Sequence, residues 1–321
     1  MRMAENAQTA MHVFMVRPAC FGSNAQTADS NAFQQSSVNE SDARQAALNE
    51  FDVMVAAVSA NGVHCIVFDD LPEPVKPDAV FPNNWITTHA SGAVRLYPLE
   101  APNRRPERRQ DIVTALVQSH GFHVSQVTDW SDHEHQGFFL EGTGSLVLDR
   151  VNQIAYAARS SRTHDALLEL FAAETGYEVC AFDTAEASGL AVYHTNVLLA
   201  IGSSFIVICE SVIDSAIRKK VMQRLEASGR QVIAISPEQM HAFAGNMLEV
   251  KVSDGSPMIL LSETARAALK QRQIRLLETH AGLLPLNVQT IERIGGGSVR
   301  CMLAEIFLPQ RASAQGVAHG V

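Results

Sequence analysis

The chain has 321 residues, 46% hydrophobic and 18% charged, with a formal net charge of -9. A chain of this size can bury a large core, and an acidic one without a basic tract argues against nucleic acid and anionic membrane surfaces as partners. No apolar run reaches the ~18 residues of a membrane span, and residues 1–10 lack the apolar stretch of a signal peptide, so the expected setting is the cytoplasm. Five cysteines (Cys20, Cys65, Cys180, Cys209 and Cys301) are an odd number with no C-x-x-C pair. Neither a disulfide framework nor a cysteine zinc site follows from them.

In chain order, spacing near 3.6 residues predicts five amphipathic helices, at roughly 42–60, 106–120, 163–175, 212–228 and 262–279. In the first, Leu48, Phe51, Met54, Val55 and Val58 share a face; in the second, Ile112, Leu116 and Val117 do so, and Gly121 ends it. Between the helices lie strand-like runs: V-H-C-I-V-F, A-V-R-L-Y-P, S-L-V-L-D, Q-I-A-Y-A-A, N-V-L-L-A-I, F-I-V-I-C, Q-V-I-A-I and M-I-L-L-S. Gly202-Ser203 and Asp254-Gly255-Ser256 are turn signals between such runs. Helices recurring every ~50–60 residues with strands on both sides suit a repeat architecture, or an α/β sheet of evenly spaced elements. The first ten residues and the tail 311–321 read as flexible ends around one domain, 11–310. No G-x-G-x-x-G or Walker sequence follows a strand.

Three polar residues set far apart carry the chemistry: Glu141 in L-E-G-T-G-S, His194 in Y-H-T-N and Cys301 in G-G-G-S-V-R-C-M. A late cysteine with a histidine and an acid upstream is the composition of a thiol nucleophile site, and an imidazolium nearby would favour the thiolate. Glycines just before Cys301 would let the backbone approach a substrate closely. His133-Glu134-His135 offers two imidazoles that could face one metal from a strand, but its acidic flanks favour an exposed loop.

The motifs M-V-R-P-A-C-F, D-A-V-F-P-N-N-W, N-R-R-P-E-R-R, L-E-G-T-G-S, S-S-R-T, Y-H-T-N-V and S-V-R-C-M-L-A-E-I-F occur in this order. Over residues 11 to 310 the chain resembles the guanidine-modifying superfamily of arginine deiminases, dimethylarginine dimethylaminohydrolases and amidinotransferases, and most of all its citrulline utilisation hydrolases. The resemblance implies a five-bladed pentein α/β propeller of ββαβ units with the active site in its central channel. It implies Cys301 as nucleophile, His194 as general acid/base and Glu141 as the acid that holds a substrate nitrogen and orients the histidine region. Asp78 and the residue six further on match two acids that cradle a guanidinium, but the second is Asn84, preceded by Asn83. Asn196 likewise stands where arginine deiminases carry an acid, and Thr143-Gly144 replace a glycine–aspartate.

A guanidinium is cationic and presents only N–H donors, whereas a ureido group is neutral and also presents a carbonyl acceptor. Losing two or three negative charges therefore points to a ureido substrate, with citrulline the obvious candidate; the alternative is that Asp78 and Glu141 suffice for a guanidinium. For the substrate carboxylate the candidates are Arg17, Arg104 and Arg162, the last matching a family substrate-binding arginine, with Arg159 close by. Residues 24–33 read as a polar loop, a lid in this family, with Asn24 and Gln26 as weaker contact candidates. Gly245 and Asn246 in F-A-G-N-M-L-E-V suit either the channel or a tight turn. The expected protein is a cofactor-free and metal-free hydrolase of a small amino acid, with a homodimer as a possible assembly. An amidinotransferase and a non-catalytic amino-acid sensor are the competing readings.

Overall fold

The computed structural model describes residues 7–35 and 40–310. Its fold is built from five units, each a hairpin followed by a helix and a third strand parallel to the middle one. The first unit contains β1 (His12–Arg17), the helix Glu40–Ala60 and β2 (His64–Asp69). The second runs β3 (Ile86–Thr88), β4 (Ala93–Leu96), the helix Gln110–Gln118 and β5 (Gln126–Asp129). The third is β6 (Val147–Asp149), β7 (Ile154–Ala158), the helix Asp165–Thr175 and β8 (Glu178–Phe182). The fourth is β9 (Leu199–Ile201), β10 (Phe205–Ile208), the helix Ser215–Glu226 and β11 (Gln231–Ala234). The fifth is β12 (Leu248–Lys251), β13 (Pro257–Ser262), two short helices and β14 (Gly282–Leu286).

The first unit is completed from the far end of the chain. β15 (Ala304–Ile306) pairs antiparallel with β1, His12 opposite Ile306, and makes the order β15-β1-β2 equivalent to β3-β4-β5. The five three-stranded sheets and intervening helices are the five-bladed propeller expected from the motifs. The first strands of neighbouring units, such as β15 and β3 or β6 and β9, pack against each other around the centre.

Helix burial follows the pattern in the sequence. In the first helix Ala43, Ala47, Phe51, Met54 and Val58 form the buried stripe, with Leu48 and Val55 half-buried at its margin. Phe51, with none of its surface exposed, contributes about 1.5–3 kcal/mol through burial. The predicted helix 262–279 is in fact two, Glu263–Ala268 and Gln271–Glu278. Leu269 and Lys270 turn extended between them, Leu269 enters the core, and Gln239 donates to the freed carbonyl of Ala268 at 2.8 Å.

The expectation of a frayed start fails for residues 7–10. Gln8, Thr9 and Ala10 are buried because the Gln8 amide donates to the carbonyls of Leu148 and Ile201 while its oxygen accepts from Arg150 N–H. Residues 1–6 and the tail 311–321 lie outside the described residues. Among the described residues, no helix is long and apolar enough to cross a membrane.

Candidate active site

Each unit places a short turn or helix immediately before its first strand, and these five segments bring the polar residues together. Asn83 and Asn84 lie in the 3-10 turn Pro82–Asn84 before β3; Glu141 precedes the helix Gly142–Ser145 before β6. His194 precedes the helix Thr195–Leu198, which carries Asn196, before β9. Asn246 stands two residues ahead of β12, and Cys301 lies in the 3-10 turn Val299–Met302 before β15. All of these side chains are buried. Asp78, Asn84, Arg104, Arg162, Tyr193, His194 and Cys301 line one cavity, with Thr27 and Asn31 over it.

Glu141 and His194 form the tightest pair. The His194 Nε2 lies 2.8 Å from Glu141 Oε2, so the ring proton on Nε2 is donated to the carboxylate and Nδ1 keeps its lone pair. Burial pushes His194 down to about 4, aided by Arg162 and Arg104 and opposed by Glu141. Burial alone would raise the Glu141 carboxyl, but Arg162, His194 and Arg104 hold it below its ordinary value. The resting site therefore holds a glutamate anion and a neutral imidazole at neutral pH.

Gly144 leaves room for that imidazole. A Cβ there would lie 2.6 Å from Asn84 Nδ2 and 2.8 Å from His194 Nδ1. No larger residue fits this position, and the same contacts put the Asn84 amide beside the histidine.

Arg104 runs through the middle of the site. It makes two hydrogen bonds to Glu107 (3.0 and 2.9 Å) and one to Asn84 Oδ1 (3.0 Å), and it lies 3.6 Å from both Asp78 and Glu141. Asn84 in turn donates to Asn83 Oδ1, and Asn83 donates to Thr143. Glu107 is the member of this group that its motif alone does not single out; burial pushes its carboxyl up to about 7 despite Arg104. Burial also raises Asp78, against Arg104 and a hydrogen bond from Asn24. The other oxygen of Asp78, Oδ1, is buried without a hydrogen-bond partner.

The expected lid is a turn-rich segment that covers the cavity. Asn24 donates to Asp78 at 2.7 Å and Asn31 donates to the carbonyl of Gly296 at 3.2 Å. Arg162 holds the segment from below, with Nη2 donating to Ser30 Oγ at 2.7 Å and Nη1 3.5 Å from Glu141. Gln26 faces outward, accepting from Asn103 N–H and lining an outer cavity with Ser30 and Tyr193. The inner cavity is about 10 Å3, room for about one water.

Four expectations need correction or narrowing. Arg17 is outside the site: it forms a two-point pair with Asp52 on the first unit's surface, because β1 directs it toward the helix Glu40–Ala60. Arg159 is also on the surface, paired with Asp165 and Asp183, which leaves Arg162 as the inward member of its motif. Asn196 faces Cys301, its Nδ2 3.6 Å from Sγ. Asn246, which suited either the channel or a turn, is closer still, with Nδ2 3.3 Å from the sulfur. Its place just ahead of the first strand of the fifth unit, like that of Asn196 in the fourth, is the signal that could have found it.

His133-Glu134-His135 forms part of the 3-10 helix Ser131–Gln136 rather than a strand. Glu134 accepts from Leu99 N–H and pairs with Arg105 and Arg108, so its carboxylate is already engaged. Among the described residues no cluster of three or more metal-ligating side chains occurs.

A buried cysteine, a histidine held by a glutamate and a ring of amides at the centre of five ββαβ units define a cysteine enzyme of the guanidine-modifying, pentein-fold class. The chain belongs to the family described as N,N dimethylarginine dimethylhydrolase, eukaryotic, whose model matches residues 17–308. It is accordingly an enzyme, a hydrolase of carbon–nitrogen bonds other than peptide bonds. Among solved structures it is similar to the N-terminal domain of ArgZ, an arginine dihydrolase from cyanobacteria, with TM-score 0.71 and 15% identity over 92% of this chain and 97% of that one. It is similar to AgrE (TM-score 0.71, 16% identity, 94% of this chain and 40% of that one), so it spans less than half of AgrE. It is also similar to a dimethylarginine dimethylaminohydrolase solved as an adduct with S-methyl-L-thiocitrulline (TM-score 0.61, 16% identity, 92% and 100%). At these identities the likeness is one of fold. A comparison with curated protein sequences found no match.

Proposed function

We propose that the protein hydrolyses citrulline to ornithine, ammonia and carbon dioxide through a covalent adduct on Cys301. The observation that carries this reading is Arg104, which lies 3.6 Å from both Asp78 and Glu141 and donates to Asn84. The carboxylates that would receive a cationic substrate already face a guanidinium of the protein, and Arg162 is a second one beside Glu141. Burial shifts Asp78 and Glu107 toward their neutral forms, which lowers the negative charge further. A neutral ureido group avoids repulsion from both arginines, and the Asn84 amide beside His194 suits a group with both N–H and carbonyl.

In this mechanism the Cys301 thiolate attacks the ureido carbon. His194 Nδ1 takes up the thiol proton and passes it to the departing nitrogen, which leaves as ammonia. The neutral imidazole then removes a proton from water, which releases the adduct as a carbamate; loss of carbon dioxide leaves the amine. Glu141 keeps the imidazole in the required tautomer. Arg104 and Arg162 remain the candidates for the substrate carboxylate, and the free oxygen of Asp78 for a substrate N–H.

A second reading, a guanidino substrate as in the dimethylarginine and arginine hydrolases, is favoured by the family match and by the unpaired Asp78 oxygen. A substrate panel of citrulline, arginine, methylated arginines and agmatine separates the two. Ornithine and ammonia from citrulline alone supports the ureido reading. Citrulline formed from arginine or a methylated arginine overturns it in favour of the second, and transfer to an added amine in place of water would mark an amidinotransferase. The five thiols are free, which suits a reducing cytoplasm. The homodimer is tested by light scattering at assay concentration.

A further inference from the structure

We infer that Asn246 is a catalytic residue, a fixed hydrogen-bond donor that stabilises the Cys301 thiolate formed when His194 takes the thiol proton, in a reaction whose substrate brings no positive charge. The inference rests on Cys301 being the nucleophile, as in the proposed function. Three contacts determine which way the Asn246 amide points. Its Oδ1 accepts from the backbone N–H of Arg300 at 3.1 Å, a group that can only donate. Its Nδ2 donates to the carbonyl of Asn196 at 3.0 Å, a group that can only accept. One N–H of the amide is thereby used, and the other faces Cys301 Sγ at 3.3 Å.

A flipped amide would place two acceptors together at Asn196 and two donors together at Arg300, so the donor toward sulfur is built in. Asn196 has no such lock. Its Nδ2 is 3.6 Å from the sulfur and its Oδ1 is 4.0 Å away, and either end of the amide can face Cys301. As a thiol, Cys301 has only longer contacts to donate into, Asn246 Oδ1 at 3.7 Å and Asn196 Oδ1 at 4.0 Å. The surroundings of the sulfur therefore favour the charged acceptor over the neutral donor, and a hydrogen bond to a charged sulfur is the stronger kind. This supplies what a cationic substrate could otherwise provide, while His194, neutral at rest, is free to take the thiol proton and deliver it to the leaving group.

The test is the rate of Cys301 alkylation by iodoacetamide across pH, read by mass spectrometry of the Cys301 peptide without substrate. Asn246→Asp keeps the volume and the bond from Arg300 while replacing the donor with an oxygen. It should slow alkylation at pH 7 about tenfold or more and leave the high-pH plateau within about twofold. Asn196→Ala should slow it about two- to threefold, since its contact is longer and unlocked. A profile of Asn246→Asp that superimposes on the wild type overturns the inference, as does a plateau that falls in parallel with the neutral rate. If Asn246→Asp does not fold, Asn246→Ala is judged by the same two criteria. Citrulline turnover by the wild type is measured separately: its absence removes the proposed substrate without touching the thiolate result, and an unshifted profile removes Asn246 without touching the substrate.

Discussion

Two buried arginine–aspartate pairs in this molecule have the same chemistry and different fates. Arg230 meets Asp149 in a two-point fork at 2.7 and 3.0 Å, with Nε donating to the carbonyl of Gly202 at 2.8 Å. Asp149 also accepts from the backbone and side chain of Asn152, so both partners are saturated. Arg104 approaches Asp78 only to 3.6 Å, and one Asp78 oxygen has no hydrogen bond at all. Buried polar groups are almost always paired. The saturated pair joins the third and fourth units; the loose one lines the cavity with an acceptor left unpaired.

The comparison breaks down if the cavity is not a reaction site. Cys301→Ala should lower turnover by roughly 10^4- to 10^6-fold with the thermal midpoint retained, as expected when the nucleophile of a concerted site is removed. Retained activity would remove the thiol mechanism. The next largest effect belongs to the saturated pair. Asp149→Ala leaves Arg230 charged and buried and should cost about 3–5 kcal/mol in chemical denaturation, while kcat/KM of the folded fraction stays within about twofold. A large loss of activity at unchanged stability would mean that Asp149 had been misjudged as structural.

Asp78→Asn should behave in the opposite way. The substitution removes a carboxylate whose burial already outweighs its partners, so stability should hold or rise, while kcat/KM falls about 10- to 100-fold. Equal losses of stability in Asp78→Asn and Asp149→Ala would erase the distinction between the pairs.

The fold was more legible than the site, for physical reasons. Long helices announce themselves through a stripe such as Phe51, Met54 and Val58, and central strands through runs such as Phe205–Ile208. The strand-like runs omitted β1, β5, β8 and β14 as well as β3, β12 and β15; β3 and β15 have three residues each, too few to show a period, and their burial comes from neighbours in other units. The broken fifth helix was missed because Leu269 continues its apolar spacing. Cys301, His194 and Glu141 were recognisable by residue type and motif. Glu107 was not, and Asn246 suited the channel and a tight turn equally, since a buried carboxylate beside arginine and an amide beside sulfur become visible only when distant turns meet.

The histidine gives a smaller, graded test of the same site. With His194 held at about 4, the acid limb of kcat/KM should fall near that pH and not near the ordinary value of 6.5. At pH 5.5 the enzyme should thus be roughly tenfold more active than a histidine of ordinary pKa would allow. The same shift has a stability sign. Between pH 6.5 and about 4 the unfolded chain binds a proton that folded His194 refuses, so stability is full above this window and falls as pH is lowered through it. An acid limb at 6.5 with unchanged stability across the window would show that the imidazole is solvated.

The smallest effect should come from Arg17, which sequence reasoning had grouped with Arg104 and Arg162. Its hydrogen bond with Asp52 raises its pKa, yet both side chains are well exposed, at 38% and 51%. An exposed pair of this kind contributes about 0–1 kcal/mol, because water and salt screen the attraction and two long side chains lose freedom to make it. Arg17→Ala should therefore leave KM and kcat within about twofold and change stability by less than about 1 kcal/mol, with even that difference shrinking in high salt. Arg162→Ala provides the contrast, since it removes the hydrogen bonds to Ser30 and the charge beside Glu141. A rise in KM for Arg17→Ala comparable with that of Arg162→Ala would mean that the surface pair opens during turnover, and burial would then be a poor guide to which arginine meets the substrate.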